Sequence, residues 1–137
     1  MKAILLILIT FSLSYAGFTR SNDMVTDSTT SLVWQDDVTP TTMSWQNAID
    51  YCEASTLGSQ SDWRLPNINE LTSIVKDTDS HTSISNVFGN TTSNHYWSST
   101  TKASDIGRAW WVSFDFGYDS SDDKTDRNYV RCVRGGQ

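Results

Sequence analysis

Basic clusters are missing from this chain. It carries 10 Lys and Arg against 16 Asp and Glu, a formal charge of −6 over 137 residues. DNA, RNA and anionic lipid are held by gathered Lys and Arg, so this balance argues against all three as partners. Neutral sugars, cations and basic proteins remain compatible with it. Cysteine is scarce too: Cys52 and Cys132 are the only two. They form no close metal-type pair and no Cys/His cluster, which leaves out a zinc site. No apolar run is long enough to cross a bilayer; the longest mostly apolar stretch, residues 3–13, falls well short. There is no internal repeat, no EF-hand loop and no nucleophile-elbow sequence. Aliphatic residues are sparse beyond the first stretch, while six Trp, five Tyr and five Phe are present. A core made this way relies on large rings.

Residues 1–16 read as an export signal. Lys2 gives the positive start, residues 3–13 the apolar region, and Ser14-Tyr15-Ala16 the small residues that a signal peptidase reads. No cysteine follows Ala16, so a lipoprotein anchor is not indicated. The expectation is one mature domain over 17–137, of formal charge −7 once Lys2 is lost, placed in the periplasm, on the cell surface or outside the cell. In an exported chain two cysteines most simply mean one disulfide, Cys52–Cys132. Such a bridge closes a loop of about 80 residues and stabilises by roughly 4–5 kcal/mol in the chain-entropy model.

The most structured stretch is Trp63-Arg64-Leu65-Pro66-Asn67-Ile68-Asn69-Glu70-Leu71. Pro66 forces Leu65 into an extended conformation, so the chain arrives as a strand or turn. Asn67 is a helix cap, and Glu70, three residues on, reaches back to the cap amide. Trp63 and Leu65 are available to the core, whereas Arg64 points elsewhere with several donors to satisfy. The principal reading of this signature is structural.

Around it, a turn at 27–31 separates two candidate strands, the second over 32–35. Ser44 caps a first helix whose apolar face holds Trp45, Ala48, Ile49, Cys52 and Leu57, with Gly58 as its stop. The second helix spans about 68–76, with Ile68, Leu71, Ile74 and Val75 as its stripe. A long polar connection, 77–94, has Ile84, Val87 and Phe88 as anchors. Strands follow at 96–100, 109–117 and 129–134, and residues 118–128 read as an acidic loop. In 109–117, period-two spacing puts Trp110, Val112, Phe114 and Phe116 on the core face and Trp111, Ser113 and Asp115 on the other. Two helices ahead of an antiparallel sheet make an α+β layout.

Two clusters are candidate sites. On the outer face of 109–117, Trp111 would stack on a sugar ring while Ser113, Asp115 and the nearby Tyr118 bond its hydroxyls. The alternative is that residues 78–94 cover that face and bury Trp111. In the acidic loop, Asp119, Asp122, Asp123 and Asp126 offer the oxygen ligands that calcium prefers, although their spacing is not that of an EF-hand. A solvated charge run is the alternative there. His81 and His95 read as loop residues, and Ser98 and Ser99 as strand-bridging residues; no catalytic residue is identified.

Several pieces then add up in order and spacing. They are Val25-Thr26-Asp27 with Leu32-Val33-Trp34-Gln35, Trp45 with Ala48 and Tyr51-Cys52, and the 63–71 corner. Tyr96-Trp97-Ser98-Ser99-Thr100 follows, then Ala109-Trp110 with Val112 and Phe114, and Val130-Arg131-Cys132-Val133-Arg134-Gly135-Gly136. Together they resemble the Lcl C-terminal domain family of exported bacterial proteins, over essentially the whole mature chain. The resemblance implies a C-type-lectin-like fold on the branch of the formylglycine-generating enzymes: two helices flanking a small twisted antiparallel sheet, with long loops carrying any ligand site. It implies a surface role, since the family's namesake domain tips a collagen-like adhesin. This chain has no Gly-X-Y segment, and its acidity argues against sulfated polysaccharides. Calcium is the one cofactor suggested. Bridged cysteines would have no thiolate for oxidase chemistry. The expected function is therefore an adhesion module, not an enzyme, that recognises a surface carbohydrate or protein. An interaction subunit of an envelope or pilus-like assembly, or a hydrolase or oxidase with an unrecognised site, are the alternatives.

Overall fold

The computed structural model describes residues 17–37, 40–76 and 81–136; the expected export signal lies outside them. The elements are β1 (Phe18–Ser21), β2 (Met24–Asp27), β3 (Val33–Gln35), β4 (Thr42–Met43), α1 (Trp45–Glu53), a 3-10 turn (Leu57–Ser59) and α2 (Ile68–Ser73). β5 (His95–Thr101), β6 (Arg108–Ser113), β7 (Asp119–Asp123), β8 (Asn128–Tyr129) and β9 (Val133–Arg134) complete them. They build two sheets, β1-β2-β3-β9 and β4-β8-β5-β6-β7. Every pairing is antiparallel except β5 with β8. Helix and sheet are thus mixed, as expected of an α+β chain.

Both faces of the larger sheet are covered. Tyr96, Val112 and Phe114 join Leu71 and Ile74 of the α2 region and Val25, Trp34 and Val133 of the smaller sheet in one core. Trp97, Ala109 and Trp111, one residue out of phase, join Ala48 and Cys52 of α1 with Trp63, Leu65 and Val130 in a second. A sheet covered on both faces needs near-continuous apolar strands, and Ala109-Trp110-Trp111-Val112 is such a run. Of the two readings of the outer face, the covered one is found: Trp111 belongs to a second core. Indole N–H groups lock the second core: Trp97 Nε1 donates to Met43 O, Trp45 Nε1 to Ser98 O and Trp63 Nε1 to Leu57 O, each at 2.9 Å.

The 63–71 corner folds as the sequence predicts. Asn67 Oδ1 accepts from Glu70 N at 2.8 Å, and Glu70 Oε1 accepts from Asn67 N at 2.9 Å, a complete capping box. The same carboxylate takes a two-pronged bond from Arg64, at 2.6 and 2.7 Å, while Arg64 Nη2 also donates to Gly135 O. Trp63, Leu65 and Pro66 are buried. Pro66 O accepts from Ser99 N at 2.7 Å and Ile68 N donates to Thr100 Oγ1, which seats the corner on β5.

Other expectations shift. Residues 18–21, for which the sequence offers no strand signal, form edge strand β1. Ser44 sits at the cap of α1 but makes no side-chain cap bond, and α1 ends at Glu53, with Gly58 left-handed in the following turn. The single strand expected at 129–134 is split: Tyr129 belongs to the larger sheet and Val133 to the smaller, and residues 130–132 carry the chain between them. Cys132 lies in that crossing and bonds Cys52, with the Cα atoms 5.4 Å apart.

The crossing also carries Arg131, only 2 % exposed. Its guanidinium donates to Gln35 O, Asp36 Oδ1, Asn90 O and Thr91 Oγ1, and lies over the Phe88 and Tyr96 rings. Asp36, equally buried, also pairs with Arg20 and accepts from Gly89 N and Asn90 N. The long connection is therefore pinned by Ile84 and Phe88, as expected, and additionally by this charged hub.

Candidate functional site

The β6–β7 hairpin gathers the expected ligand-binding residues and changes their roles. Ser113 N donates to Tyr118 O at 2.8 Å, which closes a loop over 114–117. Phe116 (φ 65°) and Gly117 (φ 72°) both adopt left-handed conformations there. Such a φ is free for glycine but costs a bulky residue of order 1–3 kcal/mol. The chain thus leaves the strand at Ser113, and Phe116, expected in the core, stands 40 % exposed at the tip. Tyr118 beside it is 52 % exposed.

Trp111 is no platform. It is 5 % exposed, and it is covered by His95, stacked on the indole at 3.7 Å, with Tyr118 edge-on at 5.6 Å. The register explains this: His95 pairs with Ser113, so His95 and Trp111 are diagonal neighbours on one face of the sheet. Ser113 is fully buried, and its hydroxyl is committed to Asp115, donating to the carbonyl at 2.8 Å and accepting from the amide at 3.1 Å. Its side chain is closed off from solvent. Asp115 reaches outward, with Oδ1 2.8 Å from His81 Nδ1. The His81 ring lies 4.3 Å from that of Phe116. His95 Nε2 is 3.4 Å from Tyr118 Oη.

The tip is therefore two exposed rings, Phe116 and Tyr118, backed by His95 on Trp111 and flanked by His81 and Asp115. Burial pushes the His95 pKa below its ordinary value, against the raising pull of Asp122 and Asp115. His95 is therefore disposed to be neutral, as a ring stacked on indole should be. Sequence reasoning passed over both histidines and placed Phe116 inside. The Phe116-Gly117 pair at a strand end was the available turn signal.

The four aspartates expected to hold calcium do not converge. Residues 119–123 form strand β7, so Asp119 and Asp123 project to one face and Asp122 to the other. Asp123 pairs with Arg108 at 3.1 Å, Asp122 accepts from Asn128 Nδ2 at 2.9 Å, and Asp126 lies in the turn beyond, its N–H on Asp123 O. Among the described residues, no group of three or more His, Cys, Asp or Glu is arranged for a metal ion. These four carboxylates, as placed, do not make a common calcium site.

Ser98, buried, donates to Trp110 O at 2.7 Å and bridges β5 to β6. Both cysteines are in the disulfide. No helix among the described residues is long and apolar enough to cross a membrane.

The molecule is, at this level, a small disulfide-bonded α+β domain with ring-rich cores and an aromatic hairpin tip. The family model of the Lcl C-terminal domain matches residues 23–134, and the chain belongs to that family. Among curated proteins, no sequence matches it.

Proposed function

We propose that this domain is an exported binding module of C-type-lectin-like architecture that recognises a surface carbohydrate through the β6–β7 hairpin tip. The observation that carries the reading is the exposed Phe116, held in a left-handed conformation beside exposed Tyr118. Strain that buries nothing is retained where a site uses it. A sugar ring stacks its C–H face on Tyr118 or Phe116, while Asp115 and His81 bond its hydroxyls. Carboxylates beside the rings disfavour anionic sugars, and the role is one of binding rather than catalysis.

The test is a glycan panel with the oxidised domain, run in calcium and in EDTA, followed by Tyr118→Ala and Phe116→Ala. Binding should survive EDTA. Each variant should weaken it by about 3- to 10-fold, the worth of one aromatic contact. Unchanged binding in both variants overturns the site, and loss in EDTA overturns the metal-free mechanism. No binding to any glycan by the folded domain redirects the reading to a protein partner.

A further inference from the structure

We propose a second ligand site, remote in sequence from the hairpin tip: a groove between β3 and the end of α1 that takes an uncharged oligosaccharide. The groove has a volume of about 410 Å³ and is lined by Gln35, Asp37, Tyr51, Ser55, Thr56 and Leu57 among others. That size is within the range of small-molecule sites.

Its polar groups are fixed by one buried amide. Gln35 Nε2 donates to Asp37 Oδ1 at 2.8 Å and to Tyr51 Oη at 3.0 Å. Gln35 Oε1 accepts from Cys132 N at 3.1 Å, so the amide is itself anchored beside the disulfide. This commits both amide hydrogens of Gln35 and fixes its oxygen, and leaves the ends of its two partners available. Tyr51 Oη accepts from Gln35 and so has its own proton to donate. Asp37 Oδ2 has no hydrogen-bond partner among the described residues. A donor and an acceptor are thus held at the mouth of the groove, and the half-exposed Tyr51 ring supplies a flat apolar face next to them. Ring face, oriented acceptor and oriented donor together are what a pyranose needs.

The charge chooses among ligands. Neither this groove nor its neighbour, about 420 Å³ and lined by Asn22, Asp23 and Met24, has a Lys or Arg in its wall. Leu57 lines both, so a chain longer than one sugar would run past it from Asp37 towards Asp23. Carboxylates at both ends repel phosphate, sulfate and uronate groups.

The experiment is amide chemical-shift mapping on the oxidised domain, titrated with maltohexaose, cellohexaose and N-acetylated chitohexaose, with a heparin hexasaccharide as the anionic control. At least one neutral hexamer should shift the amides of Asp37, Tyr51, Ser55 and Thr56, and the anionic one should not. Tyr51→Ala should weaken that binding about tenfold and Asp37→Asn by a smaller factor. Tyr51→Phe, which keeps the ring and loses the donor, should fall between wild type and Tyr51→Ala. No shift at these four residues with any neutral hexamer overturns the proposal, as does equal binding by Tyr51→Ala. Shifts confined to Phe116, Gly117 and Tyr118 would support the hairpin tip and refute the groove. Shifts confined to the groove would do the reverse, so the two readings fail separately.

Discussion

Replacing Asp36 by asparagine should cost this domain about 3 kcal/mol, although the substitution changes almost no volume. Asp36 Oδ1 lies 2.8 Å from Arg131 Nη1, both side chains are cut off from water, and Arg20 joins from the partly open side. Removing one member of a buried ion pair costs roughly 3–5 kcal/mol, because the other charge stays buried without its counter-ion. Two features put the loss near the lower end. Arg131 keeps acceptors on Gln35 O, Asn90 O and Thr91 Oγ1, and the side-chain amide that replaces the carboxylate would retain one oxygen, enough for either Gly89 N or Asn90 N though not for both. Asp36→Ala strands those amides as well and should cost about 5 kcal/mol. For a domain of this size, with total stability of about 5–15 kcal/mol, the Asp36→Asn variant stays folded and melts roughly 10–15 °C lower. Thermal and urea unfolding measure the loss. A double-mutant cycle with Arg131→Met assigns it: the double variant should lose less than the sum of the singles. An Asp36→Asn protein within about 0.5 kcal/mol of wild type, or strict additivity in the cycle, would refute the claim that the pair is coupled.

Reducing Cys52–Cys132, which closes 80 residues, should lower stability by about 4–5 kcal/mol, measured by urea unfolding with and without reductant. A loss below about 1 kcal/mol would mean that the unfolded chain is not constrained as the entropy model requires. His95 gives a pH dependence of definite sign. Burial lowers its pKa in the fold, so the unfolded chain takes up a proton first as pH falls. Stability is therefore full above the unfolded value of about 6.5 and declines below it until the folded histidine also protonates. His95→Gln should flatten that limb of the stability–pH curve, and an unchanged slope would show that another group carries it.

How much of this was legible in the sequence depended on how far apart the interacting residues lie. The 63–71 corner was readable because its partners, Asn67 and Glu70 above all, sit within one helical turn of each other. The disulfide was readable by counting. The β2–β3 turn was marked by its own Asp-Ser-Thr-Thr-Ser segment, whose Asp27 carboxylate accepts from Thr29 N and Thr30 Oγ1. The larger sheet was only half legible, because alternation tells which residues share a face but not whether each face is covered, or by what. Both an open and a covered outer face were compatible with the pattern, and Trp111 proves to lie in a second core under His95. Strand β7, Asp-Ser-Ser-Asp-Asp, looks like a loop by composition and is made a strand by pairing with β6. The Asp36 hub was invisible for a different reason: it joins residues 20, 36, 89–90 and 131, and no local pattern announces four segments meeting.

Those distant contacts share one feature. Residues 131–135 supply a partner to each main node: Arg131 to Asp36, Cys132 to Cys52 by the disulfide and to Gln35 by its N–H, Val133 to Arg64 by paired backbone bonds, and Gly135 to the Arg64 guanidinium. The regular elements are short, several of only two residues, and cannot hold themselves together. The end of the described chain does that work by crossing from one sheet to the other. This has unequal consequences for the two surfaces. The hairpin tip is held by β5 and β6, which pair with each other and stack His95 on Trp111, and it meets the crossing through apolar packing in the second core. The groove at Tyr51 depends on Gln35, and Gln35 is oriented by the Cys132 amide. Loosening the crossing therefore disorganises the groove before the tip, and the two surfaces, though carried by one small domain, differ in how tightly their geometry is tied to its closure.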